Sequence, residues 1–141
     1  MNRKDFIYKM GIGTTAIAFC NCMVGCSGED EVTGPPPPPS NVDFTLDLND
    51  AANSSLNTNG GSLYRGGILV GRVNATTFIA LSQVCTHQGT TVQFQLANNR
   101  IHCPNHGSNY TLEGTVINGP AVQALRKYNT ELNGNLLRVF S

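Results

Sequence analysis

C-T-H-Q-G at residues 85–89 and C-P-N-H-G-S-N-Y at residues 103–110 are the segments that decide the fold and chemistry of this 141-residue chain. Each supplies one cysteine and one histidine within a few residues. Thiolate sulfur and neutral imidazole nitrogen both bind zinc and iron well. Two separate segments of mixed ligands suit two loops that close over a metal centre from opposite sides.

A structural zinc site is the simplest interpretation of such a ligand set. Two cysteines and two histidines commonly surround one tetrahedral zinc ion. Zinc modules usually open, however, with two cysteines separated by two to four residues, because that turn points both sulfurs at one ion. Here each segment pairs a cysteine with a histidine instead. A zinc-stabilised binding module without a redox role stays open as an alternative.

The residues around the four candidate ligands resemble the ligand motifs of Rieske iron–sulfur proteins, C-T-H-x-G and C-P-x-H-G-S-x-Y. The second motif matches throughout residues 103–110. In a Rieske two-iron, two-sulfur (2Fe-2S) cluster, cysteines hold one iron and histidines hold the other. The resemblance therefore implies that a Rieske-type 2Fe-2S cluster is bound by Cys85, His87, Cys103 and His106.

The same resemblance assigns roles to four further residues. Ser108 and Tyr110 match family positions whose hydroxyls donate to a cluster sulfide and to a ligand cysteine sulfur. Such bonds favour the more negative, reduced state, so both residues are expected to raise the reduction potential. Gly119 and Pro120 resemble the start of a third loop, which covers the cluster.

The chain departs from the quinol-oxidising members of the family at two positions. Those members carry an extra cysteine in each ligand loop, and the two cysteines form a disulfide between the loops. This chain has Thr90 and Asn105 at the corresponding places. Loop closure is then expected to depend on the cluster and on hydrogen bonds. We therefore expect the apoprotein to be markedly less stable than the holoprotein.

Residues 1–26 are predicted to form an export signal that ends in a lipobox. A basic start is followed by an apolar run over residues 10–19, and then by Met-Val-Gly-Cys at residues 23–26. Cleavage before Cys26 would leave that cysteine as the lipid attachment site. The predicted location is the bacterial cell envelope, lipid-anchored and facing outside the cytoplasm. A membrane-spanning helix and an ordinary signal with an incidental Cys26 are the alternatives.

Composition divides the rest of the chain into a tether and one small domain. Residues 27–40 hold a short acidic run and five consecutive prolines, residues 35–39, which predict an extended, semi-rigid spacer. Residues 41–141 form the predicted 2Fe-2S domain. This part carries six basic and five acidic side chains, so nucleic acid is not expected as a partner.

The pattern of the domain predicts an all-β fold. Apolar residues alternate with polar ones near residue 44, and β-branched runs at residues 68–73 and 76–81 read as strands. Residues 92–96 and 100–103 predict a hairpin that leads from the first ligand segment to the second. We expect an antiparallel β-sandwich or barrel with the cluster held by two loops at one tip, as the resemblance also implies.

A second hairpin is predicted near the end of the chain. Asn-Gly at residues 133–134 favours a type I′ turn. This turn would place Thr130 opposite Leu137 and Tyr128 opposite Val139, with one apolar face.

The resemblance implies one-electron transfer in the cell envelope, by a tethered carrier or a small subunit of a redox complex. Its expected partners are redox proteins such as a cytochrome or a membrane oxidoreductase, and the membrane through the N-terminal lipid. The alternative is the quinol-oxidising subunit of a cytochrome bc-type complex. We expect an electron carrier or electron-transfer subunit of an oxidoreductase rather than an enzyme acting alone.

Overall fold

The computed structural model describes residues 34–141. The predicted export signal, with Cys26 and the acidic part of the tether, lies outside these residues, so those predictions are carried forward as proposals. Within residues 34–141, no helix is both long enough and apolar enough to cross a membrane.

The described chain forms three antiparallel sheets, which confirms the predicted all-β class. Their strand orders are β1-β10-β9, β2-β3-β4 and β5-β6-β7-β8, and none of these three sheets closes into a barrel. Two short 3₁₀ helices, Ala51–Asn57 and Leu96–Asn98, connect strands. The strands are β1 Asp43–Asp47, β2 Ser62–Arg65, β3 Ile68–Arg72, β4 Phe78–Ser82, β5 Gln93–Gln95, β6 Arg100–His102, β7 Asn109–Tyr110, β8 Val116–Asn118, β9 Asn129–Asn133 and β10 Leu136–Phe140.

Strands β3 and β4 lie between two hydrophobic cores. Successive side chains of a strand point to opposite faces, and here both faces are covered. Val70 and Ala80 belong to a core shared with β1 and β10, whereas Leu69 and Leu81 belong to a core beneath the ligand loops. Burial on both faces accounts for the nearly continuous apolar runs of these two strands.

The hairpin formed by β5 and β6 brings both ligand loops to one end of the third sheet. Its prediction is confirmed, with Gln93 opposite His102 and Gln95 opposite Arg100. The first ligand loop precedes β5 and the second follows β6. Because the strands are antiparallel, the start of β5 and the end of β6 are adjacent. A single hairpin is therefore enough to bring the two candidate ligand segments together.

The register of the C-terminal hairpin differs from the predicted one. The pairing of Thr130 with Leu137 and of Tyr128 with Val139 is wrong by two residues. Val139 instead lies opposite Thr130, and Leu137 lies opposite Leu132. An even shift leaves each side chain on its original face. Leu137 and Val139 are accordingly both buried.

Turn chemistry explains this shift. The pair Asn133 and Leu136 closes the hairpin, so Gly134 and Asn135 are the central residues of the turn. Gly134 has a φ of 60°, as the first central position of a type II′ turn requires. The predicted type I′ turn would have required positive φ from Asn133 as well. The observed turn places that demand on glycine, which meets it without steric cost.

The five prolines at residues 35–39, the proline run, lie against the domain. The prediction treated residues 27–40 as a tether that stands clear of the fold. In the structure, the Tyr128 hydroxyl donates to the Pro39 carbonyl at 2.8 Å. Proline has no N–H, but its carbonyl still accepts hydrogen bonds and its ring offers apolar surface. The part of the chain that packs on the domain therefore begins at Pro35 or before it.

Candidate metal centre

The two ligand loops share one backbone frame. In the first, the Cys85 N–H donates to the Thr90 carbonyl at 2.8 Å, and the Gly89 N–H donates to the Cys85 carbonyl at 2.9 Å. The second loop repeats this pattern. The Cys103 N–H donates to the Ser108 carbonyl at 2.8 Å, and the Gly107 N–H donates to the Cys103 carbonyl at 3.1 Å. The glycines have φ of 78° and 79°. Glycine is needed at both places because other residues are strained there.

This frame brings the two cysteines together beneath the surface. Cys85 and Cys103 are 1% and 2% exposed, and both are free thiols. They are close enough for each thiol to shift the pKa of the other. A pair of buried thiols with a polar partner on each side suits one metal ion at the inner end of the site.

The two candidate histidines form a second pair nearer the solvent. Nδ1 of His87 and Nδ1 of His106 are 3.1 Å apart, and the rings meet edge to face at an angle of 83°. His106 is exposed and His87 is half-buried. Two facing Nδ1 atoms either share one proton or direct their lone pairs toward a common metal. The outer pair therefore suits a second metal ion.

This arrangement fits a two-iron cluster better than a zinc ion. Within residues 34–141, no group of three or more His, Cys, Asp or Glu side chains is placed to hold a single metal ion. A structural zinc site requires four ligands around one ion. Two separate pairs, sulfur inside and imidazole outside, provide the donors that a Rieske-type cluster requires at its two irons.

Hydrogen bonds make the two thiols unequal. Burial raises the pKa of Cys85, but the Tyr110 hydroxyl, the His87 backbone and the other nearby donors outweigh it, so the pKa falls below its usual value. Burial also raises the pKa of Cys103. There the adjacent Cys85 adds to the effect, and the pKa lies above its usual value. The surroundings thus favour a thiolate at Cys85 before one at Cys103.

Tyr110 links the first ligand loop to strand β7. Its hydroxyl lies 3.3 Å from Cys85 Sγ and 3.1 Å from Thr86 Oγ1, and it accepts from the Thr86 N–H. The Thr86 hydroxyl donates its own proton to the Gln123 carbonyl at 2.7 Å. Burial and the bond to Cys85 raise the pKa of Tyr110 to about 12. The tyrosine therefore keeps its proton and can donate it to the Cys85 sulfur.

Ser108 joins the second ligand loop to the covering loop, residues 119–121. The Ala121 N–H donates to Ser108 Oγ at 2.9 Å, and Ser108 is fully buried. Since the oxygen accepts this bond, the hydroxyl proton remains available for the site. Gly119 and Pro120 are exposed at the outer side of this loop, so Ala121 is the residue of the loop that is buried at the site.

The third histidine, His102, takes part in a polar network below the second ligand loop. Its Nδ1 lies 2.8 Å from Oδ1 of Asn109, and Asn109 Nδ2 donates to the Gly107 carbonyl and to Asn118. Asn118 Nδ2 donates to the same carbonyl at 3.2 Å. His102 is the last residue of strand β6.

Three supporting residues were not found by sequence reasoning: Thr86, Asn109 and Asn118. Thr86 lies between Cys85 and His87 in the first ligand motif, and this position could have indicated a supporting role. Asn109 and Asn118 carry no such signal. They meet through the pairing of β7 with β8, and both strands are too short for a clear alternation pattern.

Comparisons with known proteins agree with this geometry. Residues 45–129 match the family model described as the Rieske [2Fe-2S] domain. The chain is 40% identical over 68 residues to the cytochrome b6-f complex iron-sulfur subunit of Chlorobaculum thiosulfatiphilum, an alignment that covers 48% of this chain and 36% of that subunit. The matched part is thus about a third of the relative's length.

Solved structures with a similar fold include a plasma membrane Rieske protein and a ferredoxin. The plasma membrane Rieske protein PetC3 from Synechocystis PCC 6803 has a TM-score of 0.50 at 30% identity, covering 57% of this chain and 85% of that one. The ferredoxin of carbazole 1,9a-dioxygenase from Nocardioides aromaticivorans IC177 has a TM-score of 0.52 at 22% identity, covering 61% and 91%. The second likeness supports the fold alone.

Proposed function

The chain belongs to the Rieske [2Fe-2S] domain family, and from this premise we propose that it transfers single electrons in the cell envelope as a tethered carrier or a small subunit of a redox complex. A Rieske-type cluster supplies a one-electron centre with a potential of about −150 to +300 mV. The proposed ligands are Cys85, His87, Cys103 and His106. The buried thiol pair and the imidazole pair nearer the solvent support this ligand assignment.

The observation that carries the proposal is the separation of a buried thiol pair from a solvent-facing imidazole pair. The cysteines are 1% and 2% exposed, whereas His106 is exposed. An electron can then enter or leave at the imidazole side without opening the fold. The proposed partner is a redox protein, such as a cytochrome or a membrane oxidoreductase, that contacts this side.

Histidine substitutions test the ligand assignment directly. In the reconstituted protein, His87→Ala and His106→Ala are expected to abolish the electron paramagnetic resonance signal of the reduced, histidine-ligated cluster. His102→Gln is the matched control, because His102 lies next to Cys103 in sequence but bonds Asn109. The assignment would be overturned if the control lost the signal while both ligand variants kept it. A colourless protein containing one zinc ion would overturn the proposal itself.

A second candidate is the quinol-oxidising subunit of a cytochrome bc-type complex. The matching relatives include iron-sulfur subunits of the cytochrome b6-f complex, and the exposed His106 ring provides a surface that a quinol could reach. Affinity purification of the tagged chain from native membranes separates the two candidates. Recovery with a b-type cytochrome and quinol-dependent reduction supports this second function, whereas recovery as a free protein supports the carrier.

The anchoring proposal rests on the sequence at residues 23–26. Cleavage before Cys26 and lipid attachment to its sulfur would hold the domain at the envelope membrane, facing outside the cytoplasm. Mass spectrometry of the mature N-terminus is expected to find an acylated Cys26, and Cys26→Ser is expected to leave an unprocessed chain. A mature protein that begins elsewhere and carries no lipid would contradict the anchor while leaving the redox proposal intact.

A further inference from the structure

One end of the proline run lies on the first ligand loop. A methyl group at Gly89 would lie 3.3 Å from Pro36 Cδ and 3.6 Å from Pro35 Cα. The first distance is tighter than ordinary packing and the second is an ordinary packing distance, so glycine leaves space that the two prolines use. Pro35 is itself half-buried. The start of the proline run therefore lies beside the loop that carries Cys85 and His87, with no room for a larger residue at Gly89 unless the prolines shift.

The other end of the run is held against the turn between β2 and β3. The Tyr128 hydroxyl donates to the Pro39 carbonyl at 2.8 Å. A methyl group at Gly67 would approach Pro39 Cγ to 2.9 Å, closer than packed atoms tolerate. At the neighbouring Gly66, a methyl group would meet nothing within 4 Å. Glycine at position 67 thus provides the space in which Pro39 rests.

Between these ends the run bridges open space. Pro37 and Pro38 are exposed, and a groove of about 360 Å³ lies between the run and residues that include Thr86 and Arg126. An extended proline segment is stiff and spans about 3.1 Å per residue. It also has little conformational freedom to lose when it docks. A rod of this kind needs contacts only at its two ends to stay in place.

The two ligand loops differ in this contact. Gly89 and Gly107 occupy the same place in the shared frame and have nearly the same φ. A methyl group at Gly107 would meet nothing within 4 Å, whereas one at Gly89 would meet two prolines. We propose that the proline run is a positioning element of the metal centre, which holds the first ligand loop closed in a protein that lacks the interloop disulfide cysteines.

This inference rests on the proposed function, since it concerns how the same site is held. Its consequence is that the run does not act as a free spacer. The described chain enters the domain beside the ligand loop, so a change in the run is transmitted to the surroundings of Cys85 and His87. The second ligand loop, on the opposite side of the site, receives no such contact at Gly107.

Paired glycine substitutions in the full-length holoprotein test this role. Pro35→Gly with Pro36→Gly removes the proline ring atoms that face Gly89, and Pro37→Gly with Pro38→Gly introduces the same number of glycines away from that loop. The first pair is expected to speed amide exchange at Gly89, and loss of the cluster to a chelator, by about fivefold. It is also expected to raise the midpoint potential, because admitted water favours the more negative reduced site. The second pair leaves the contact at Gly89 in place but softens its connection to Pro39, so its effect on all three quantities should be clearly smaller.

A double-mutant cycle separates contact from backbone strain. Gly89→Ala and Gly107→Ala impose the same positive-φ strain, but only the first adds a methyl group against the prolines. Part of the Gly89→Ala effect should therefore disappear in the Pro35→Gly, Pro36→Gly background, whereas the Gly107→Ala effect should be additive. Tyr128→Phe, which loosens the far end of the run, should have a weaker effect of the same kind as the first proline pair.

The outcomes distinguish this inference from the proposed function. Equal acceleration of exchange at Gly89 and Gly107 would overturn it, as would equal effects of the two proline pairs or an unchanged midpoint potential in the first pair. In all these cases the protein still carries a cluster, and the proposed function stands. A chain that assembles no cluster with any run sequence refutes the proposed function instead.

Discussion

The two ligand loops have the same internal hydrogen bonds and the same glycine conformation, yet their surroundings differ. The first is bound to its neighbours through Thr86 and Tyr110 and is covered by the proline run. The second is supported from below by Asn109 and Asn118, and through Ser108 from the side. The outer face of its glycine, Gly107, has no neighbour within 4 Å of an added methyl.

This difference separates two tasks. The shared frame sets the positions of cysteine and histidine within each loop, and it is encoded in a few adjacent residues. The surroundings hold the two loops at the right separation without an interloop disulfide. They come from four different parts of the chain: the proline run, β7, β8 and the residues around the covering loop. Changes that alter one loop at a time should separate the two tasks.

Removal of the cluster should have the largest effect. Binding to the native state alone adds its free energy to folding, about 4 kcal/mol when the ligand is a thousandfold above its dissociation constant. For a domain of this size we expect the melting temperature to fall by more than about 10 °C in the apoprotein. Calorimetry of holoprotein and chelator-treated protein measures this. Equal melting temperatures would show that the loops close without the cluster.

The same apoprotein should reveal the difference between the loops. The amide of Gly107 is expected to exchange faster than that of Gly89, because the first loop keeps its contacts with the proline run when the cluster is absent. Hydrogen exchange read by nuclear magnetic resonance gives both rates in one sample. Faster exchange at Gly89 would reverse the comparison.

Loss of the Tyr110 hydroxyl should lower the reduction potential. In the reduced state the site is more negative, so a hydroxyl that donates to Cys85 stabilises reduction. A bond worth about 1–2 kcal/mol corresponds to about 40–90 mV for one electron. Tyr110→Phe is therefore expected to lower the midpoint by this amount in protein-film voltammetry. Tyr64→Phe is a control, since that hydroxyl bonds the Val92 carbonyl away from the thiols.

Ser108→Ala tests the second loop in the same way. The Ser108 hydroxyl proton is free to point into the site because its oxygen accepts from Ala121. We expect a fall in midpoint within the same range of about 40–90 mV, together with a looser covering loop. Ser108→Thr retains the hydroxyl and should restore most of the potential. An unchanged midpoint in Ser108→Ala would mean that this hydroxyl serves only the covering loop.

The sequence was most informative where function and local geometry coincide. The motif at residues 103–110 predicted a loop that the structure builds from its own backbone bonds, and the β5–β6 hairpin followed from alternation. Strands β3 and β4 were recognisable because two-sided burial produces continuous apolar runs. The loop and the hairpin depend on interactions between residues close in sequence, whereas β3 and β4 are covered by distant residues but keep a local apolar pattern.

Features that depend on distant contacts could not be predicted in this way. Five prolines indicate an extended segment, but their docking depends on Gly67 and Gly89, which lie far along the chain. The register of the last hairpin depends on whether the turn is centred on Asn133 and Gly134 or on Gly134 and Asn135. Only the second choice requires positive φ from Gly134 alone. The sequence of the 3₁₀ helix Ala51–Asn57 shows no helical periodicity that would predict it. The Asp50 side chain caps its start by accepting a hydrogen bond from the Ala52 N–H.

The smallest expected effect concerns the bonds that tie each loop to a neighbouring element. Thr86→Val removes the donor to the Gln123 carbonyl and leaves that bond unmade, a loss of about 1 kcal/mol in apoprotein unfolding. Asn118→Ala should cost less, because the Gly107 carbonyl still accepts from Asn109. Thr86→Ser keeps the hydroxyl and should behave as wild type. Denaturant titration of the three apoprotein variants measures their free energies of unfolding. If Asn118→Ala lowered the free energy of unfolding more than Thr86→Val, the weaker attachment would be in the first loop.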